Sequence, residues 1–185
     1  MLQFDLEDLR RRMSKTVADL EREFGRLRTG RAAASLLEPV MVNAYGQSMP
    51  LNQVGSVNVP ESQMLSVQVW DRSLVQAVEK AIRTADLGLN PVVDGQTVRV
   101  PIPMLTEERR RELTRIAAKY AEDHRIAIRN IRRDGMESLK LNERVGDISR
   151  DDHRFLVDKV QKLTDEMVAK IDELLVEKSR EIMHI

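Results

Sequence analysis

The chain has 185 residues, room for one large or two small domains, and its 30 Lys and Arg residues balance 30 Asp and Glu. Charged residues make up 32% and aromatics 3%, a composition that favours long helices. There is no cysteine, which excludes disulfides, thiolate chemistry and cysteine-based metal sites, and no stretch approaches the ~20 apolar residues that cross a bilayer.

Residues 1–29 read as an amphipathic helix. Leu6, Leu9, Met13, Val17, Leu20, Phe24 and Leu27 recur in steps of three and four, a stripe that needs helix partners. Gly30, which accepts a positive φ, is the expected stop. The opening residues alternate acid and apolar side chains, unlike a signal peptide, so a soluble cytoplasmic protein is expected.

From Arg31 to Pro103 the character changes. This stretch holds all six prolines and four of the eight glycines. Between them lie short β-type runs at Val40–Ala44, Val54–Val59, Met64–Trp70 and Thr97–Val100. Asp94-Gly95 signals a hairpin between Val92-Val93 and Val98-Arg99-Val100. One helix is expected from about Ser73 to Ala85, burying Leu74, Ala77, Val78, Ala81 and Ile82. Five basic and six acidic residues leave the block nearly neutral.

Pro101-Ile102-Pro103 stops the last strand, and Thr106 can cap a long helix to about Val145. Its core side is expected at Leu113, Ala117, Tyr120, Ala127, Ile131 and Gly135. Gly135 costs about 1 kcal/mol against alanine inside a helix. After a turn at Val145-Gly146-Asp147-Ile148, Ser149 to Asp152 open a last helix with a capping-box pattern. Its stripe runs through Leu156, Val160, Leu163, Met167, Ile171, Leu174 and Lys178. Three stripes of roughly 40–60 Å, none able to bury itself, predict an α+β chain. The expected architecture is an elongated three-helix bundle from 1–30 and 104–185, with a small β-rich α/β domain, 31–103, inserted in it. The paired crossings at Gly30 and Pro103 suit a hinge or a fixed elbow.

The long helix concentrates charge. From Arg109 to Arg133 there are nine basic and three acidic residues; from Asp134 onward there are nine basic and thirteen acidic. Arg111, Arg115, Arg125, Arg129, Arg132 and Arg133 are expected opposite the core side. Glu107 can pair with Arg111, and Glu112 with Arg115. Along the helix only Glu122 and Glu137 can reach the cluster from Arg125 to Arg133, which favours a polyanion-binding face over a solvated, salt-bridged one.

No catalytic motif is present. His124, His153 and His184 lack the spacing of a helical zinc site, and no Gly-rich loop cradles phosphate. No cofactor or metal is expected. Trp70 stands alone, against an aromatic base-stacking platform, but phosphate and shape recognition of RNA stays open. A helical protein-interaction module is the competing class, with the arginine face meeting an acidic protein.

Specific motifs carry a resemblance. They are Leu27-Arg28-Thr29-Gly30-Arg31-Ala32, Leu36-Leu37, Asp71-Arg72-Ser73 and Ala77 to Ile82. They continue through Asp86-Leu87-Gly88-Leu89-Asn90-Pro91, Pro101-Ile102-Pro103, Leu105 to Arg110, and Arg129-Asn130-Ile131-Arg132-Arg133-Asp134. In this order, and over nearly the whole chain, the sequence resembles bacterial ribosome recycling factor. The resemblance implies an L-shaped, tRNA-like monomer that is not an enzyme. It implies a translation factor that binds the post-termination ribosome and, with elongation factor G hydrolysing GTP, helps split the subunits for reuse in protein biosynthesis. By the same resemblance Arg129, Arg132 and Arg133, with Arg110 and Arg28 as weaker candidates, touch large-subunit ribosomal RNA. Thr29, Gly30, Arg31 and Ala32, with Ile102, Pro103, Met104 and Leu105, form the interdomain hinge.

Overall fold

Three amphipathic stripes dominate the chain, and each becomes a helix. The computed structural model describes residues 3–27 and 29–183; Arg28 and His184, both named above, lie outside them. Helix α1 spans Leu6–Arg26. Asp5 sets its start, its carboxylate accepting the Glu7 N–H at 3.0 Å. Leu27 is extended, three residues short of Gly30. Gly30 has φ +80, but it turns the connecting chain rather than capping the helix as expected.

Helix α2 is Val75–Thr84, α3 is Glu107–Arg144 and α4 is Arg150–Met183. At the start of α4 the expected capping box forms in both directions. Ser149 Oγ accepts the Asp152 N–H at 3.0 Å, and Asp152 Oδ2 accepts the Ser149 N–H at 3.3 Å. Gly146, at φ +84, makes the reversal between α3 and α4 possible, and the Asn142 carbonyl closes it by accepting the Asp147 N–H at 2.9 Å.

The strands are β1 Met41–Ala44, β2 Gln47–Pro50, β3 Gly55–Glu61, β4 Met64–Val69, β5 Val92–Asp94 and β6 Thr97–Pro101. All pairings are antiparallel: β1 with β2, and a four-stranded sheet in the order β3-β4-β6-β5. The Asp94-Gly95 hairpin forms as expected, with Val93 opposite Val98. Strand β2 was not expected. Alternation buries Leu65, Val67 and Val69 on β4 and Val98 and Val100 on β6, and α2 covers them with Val75, Val78 and Ile82.

These elements form two compact units. One is Thr29–Thr106; the other is built from α1, α3 and α4. The chain is therefore α+β, with a three-helix bundle and a small β-rich unit. In the smaller unit both connecting segments are tied to one turn. The Ala32 N–H donates to the Ser62 carbonyl at 2.7 Å and the Ile102 N–H to the Gln63 carbonyl at 2.8 Å.

The bundle core is set by α3. Its buried residues are Leu113, Ala117, Ala121, Ile128, Ile131, Gly135, Leu139 and Asn142. Tyr120 and Ala127, expected in this stripe, are only half-buried, because they sit at its α1 edge. Gly135 has a steric reason. A Cβ there would lie 2.5 Å from Leu9 Cδ1 and 3.3 Å from its Cδ2, and Leu9 is buried. The missing side chain lets α1 approach α3, and that contact outweighs the propensity cost.

Gly135→Ala is accordingly expected to destabilise the bundle by about 1 kcal/mol, overpacking against Leu9 exceeding the helix-propensity gain. In a Leu9→Ala background the sign should reverse, since the new methyl then fills space. Denaturant unfolding of the four proteins in this cycle checks both signs.

Candidate nucleic-acid interface

The arginines of α3 are sorted by angle from its buried stripe. With Gly135 as zero and about 100° per residue, the buried residues fall within about 40° on either side. On that wheel Arg132 lies at about 60°, Arg125 at about 80°, Arg129 at about 120° and Arg133 at about 160°. Arg111 and Arg115 also lie near 120° and 160°, about as far round as Arg129 and Arg133. The six arginines are not one face opposite the core, as expected from sequence. Arg125 and Arg132 border α4.

The side-chain contacts follow those angles. Arg125 gives Nε–H and Nη2–H to Asp172 Oδ1 of α4, at 2.9 and 2.6 Å, and its Nη1 to Glu122 Oε2 at 3.0 Å. Its side chain is 18% exposed, against 57% for Arg129. Arg129 Nη1 reaches the other oxygen of the same Glu122 at 3.2 Å. Arg132 is half-buried and gives its Nε–H to Gln161 Oε1 at 2.8 Å. Gln161 in turn donates from Nε2 to Asp165 Oδ1 at 2.8 Å. Arg133 is exposed, with a 3.2 Å bond to Asn130 Oδ1.

The electrostatics agree. Hydrogen bonds from Arg125 and then Arg129 hold the Glu122 carboxyl below its ordinary pKa. Burial works to lower the Arg125 pKa, but Asp172 and Glu122 outweigh it and leave it raised. Arg125 is thus a charged strut between α3 and α4 and not an unpaired phosphate binder. Sequence spacing missed Asp172 because it lies 47 residues away on another helix.

Farther along α3, Glu107 pairs with Arg111 as expected, at 2.5 Å. Glu112 takes Arg109 at 2.8 Å instead of Arg115. Arg110 is half-buried near the start of α3, at about 20° on the wheel, so it faces the core side more than the exposed arginines do. His124 behaves as a packed histidine: Nδ1 meets the Tyr120 carbonyl at 2.6 Å, and Nε2 lies 3.5 Å from Glu23 of α1. Among the described residues no group of three or more His, Cys, Asp or Glu side chains is placed to hold a metal ion, and no helix is long and apolar enough to cross a membrane.

Apart from Arg125, an accessible strip is formed by Arg129, Arg132 and Arg133, flanked by a groove whose other wall carries Gln161, Asp165 and Asp172 of α4; Arg111 and Arg115, nearer the start of α3, are exposed as well. Arg132 keeps both terminal nitrogens clear of the Gln161 bond, and these are the donors that grip a phosphate in bidentate fashion. Such a strip suits backbone recognition without reading sequence.

Known proteins are similar to this chain over nearly its whole length. The family model described as ribosome recycling factor matches residues 20–183. The ribosome-recycling factor of Rhodospirillum centenum is 59% identical over 185 residues, covering all of both chains. That of Parvibaculum lavamentivorans is 57% identical over 182 residues, 98% of this chain and 97% of its own. A solution structure of a ribosome recycling factor matches with a TM-score of 0.71 at 41% identity, covering 100% of each chain. A second match covers 96% of this chain and 98% of its own, at TM-score 0.59 and 43% identity. It comes from models for the T. thermophilus ribosome recycling factor and the E. coli elongation factor G bound to the E. coli post-termination complex.

The two arginine classes should separate in stability measurements. Arg125→Ala is expected to destabilise the bundle by up to about 1 kcal/mol, since it removes the link to Asp172 and one of the two arginines on Glu122. Arg129→Ala and Arg133→Ala should each stay within about 0.5 kcal/mol, as exposed side chains do. Urea midpoints at constant slope check the ranking.

Proposed function

The chain belongs to the ribosome recycling factor family, and on that footing we propose that it recycles ribosomes. It binds the post-termination complex through large-subunit ribosomal RNA and acts with elongation factor G. GTP hydrolysis by that partner drives separation of the subunits. The factor is a cytoplasmic, non-catalytic monomer in this reading. The observation that carries it is the match over nearly the full length to factors of this name, one of them described with elongation factor G on a post-termination complex.

Residue roles are carried over from the family resemblance, and the chemistry of the side chains suits them. Arg129, Arg132 and Arg133 hold RNA phosphates, as delocalised, fork-shaped cations do well. Arg110 and Arg28 are weaker candidates for the same contact. The bundle is stiff enough to transmit a push, because three continuous helices share one core. The hinge lies at Thr29, Gly30 and Arg31 on one crossing and Pro103, Met104 and Leu105 on the other. Ala32 and Ile102 mark its edge, since hydrogen bonds to the Ser62-Gln63 turn favour their moving with the smaller unit. Gly30 supplies a conformation, φ +80, that other residues adopt at a cost.

Binding to large subunits across a salt series tests the RNA face. Arg132→Ala should weaken affinity about tenfold and flatten the salt dependence by about one counterion. Arg132→Lys should recover part of it. Affinity unchanged in both variants, with normal splitting in the presence of elongation factor G and GTP, would refute the RNA contact. For the hinge, Gly30→Pro forces a φ near −65° where +80° is present. Splitting should fall sharply while each unit keeps its own unfolding transition; normal splitting by this variant would remove Gly30 from the hinge.

A further inference from the structure

The exposed arginines of α3 are not left to find their geometry unaided. Each arginine side chain loses up to about 2 kcal/mol of rotamer entropy when fixed, so one that is held before binding binds phosphate more tightly. In this bundle the holding groups belong largely to α4. One chain of contacts runs Asp172–Arg125–Glu122–Arg129, with bonds of 2.6 to 3.2 Å. The other runs Asp165–Gln161–Arg132, with both bonds at 2.8 Å.

We propose that α4 sets the geometry of the RNA face: Asp172 fixes Arg129 through Arg125 and Glu122, and Asp165 fixes Arg132 through Gln161. Gln161, Asp165, Glu122, Arg125 and Asp172 are then positioning residues, and none of them contacts the phosphate. This rests on the reading of Arg129 and Arg132 as phosphate ligands. It also explains why three carboxylates lie within a surface that binds a polyanion. As bare charges they oppose binding; as anchors of arginine rotamers they favour it. The geometry distinguishes the two roles. Asp172 binds two nitrogens of one guanidinium, and Gln161 takes the Nε–H of Arg132 while leaving its terminal nitrogens to a ligand.

The two roles predict opposite signs. If carboxylates act only through charge, Asp172→Ala adds positive charge to the face and tightens binding to large ribosomal subunits. If Asp172 positions, affinity falls about two- to tenfold, the effect of one or two lost hydrogen bonds. Gln161 gives a second, charge-neutral arm. Positioning predicts the affinity order Gln161 parent, then Gln161→Glu, then Gln161→Ala, because Glu keeps the acceptor for Arg132. Charge alone predicts parent equal to Gln161→Ala, with Gln161→Glu weakest.

Salt dependence separates lost position from a lost contact, and recovery of binding by Gln161→Glu, with thermal unfolding, separates both from a structural defect. Losing position keeps the number of phosphate contacts, so Gln161→Ala should lower affinity at every salt concentration with an unchanged slope. Arg132→Ala, losing a contact, should lower affinity and slope together. The experiment is co-sedimentation of the full-length variants with large subunits across a salt series, with thermal unfolding measured in parallel. If Asp172→Ala does not fold, the Gln161 series decides the question. Gln161→Ala binding as tightly as the parent, while Arg132→Ala binds weakly, would overturn positioning and leave the RNA reading intact. Arg129→Ala and Arg132→Ala both binding like the parent would overturn the RNA reading and the positioning with it.

Discussion

A helix of 38 residues with a narrow apolar stripe cannot stand alone, and burial of the α3 stripe is the constraint on which the bundle depends. Its buried side chains are small or branched and spread over about 80° of arc, too wide for one neighbour to cover. Helix α1 covers one side, approaching closely where Gly135 meets Leu9. Helix α4 covers the other. The fully buried side chains Met13, Leu20, Ile128, Leu139, Met167 and Ile171 come from all three helices, so the core is shared.

Everything at the borders of that stripe inherits its role from the packing. Side chains at about 60–100° on the wheel cannot be solvated freely, because a neighbouring helix already lies there. On the α1 side this gives Arg12 paired with Asp134 at 2.7 Å. On the α4 side it gives Arg125 and Arg132. Exposed ion pairs add roughly 0–1 kcal/mol each, so the apolar core and not these contacts holds the bundle together. Their effect is directional: they fix where long side chains point.

That distinction explains what could be read in the sequence. The three helices, the β-rich block between them and the Asp94-Gly95 hairpin were legible because periodicity and turn chemistry are local. Strand β2 was not, since Gln47-Ser48-Met49-Pro50 has no strong β-formers and is a strand only by pairing with β1. The stripe of α3 was misplaced by one residue in its middle. Tyr120 and Ala127 satisfy steps of three and four as well as Ala121 and Ile128 do, and only the position of α1 and α4 decides between them. The arginines themselves were legible. Asp172 and Gln161 were not, because a contact across 47 or 29 residues leaves no mark on local spacing.

A phosphate-binding arginine meets two conflicting demands. It must be exposed to reach its ligand, and it must be oriented to bind well; exposure removes the contacts that orient it. Residues on the stripe satisfy only the second demand, and residues opposite it satisfy only the first. Positions about 60–120° from the stripe centre satisfy both, since one side of the guanidinium can rest on a neighbouring helix while the other faces solvent. Arg132 and Arg129 occupy that range and keep donors free, whereas Arg125, at about 80°, has its fork taken by Asp172 and Glu122. Arg133, farther round, is supported only by Asn130 one turn back on its own helix. On this argument the same packing that buries the α3 stripe also ranks its arginines. On the proposed RNA reading, Arg132 and Arg129 would bind phosphate with defined geometry, and the most exposed arginine would contribute mainly charge.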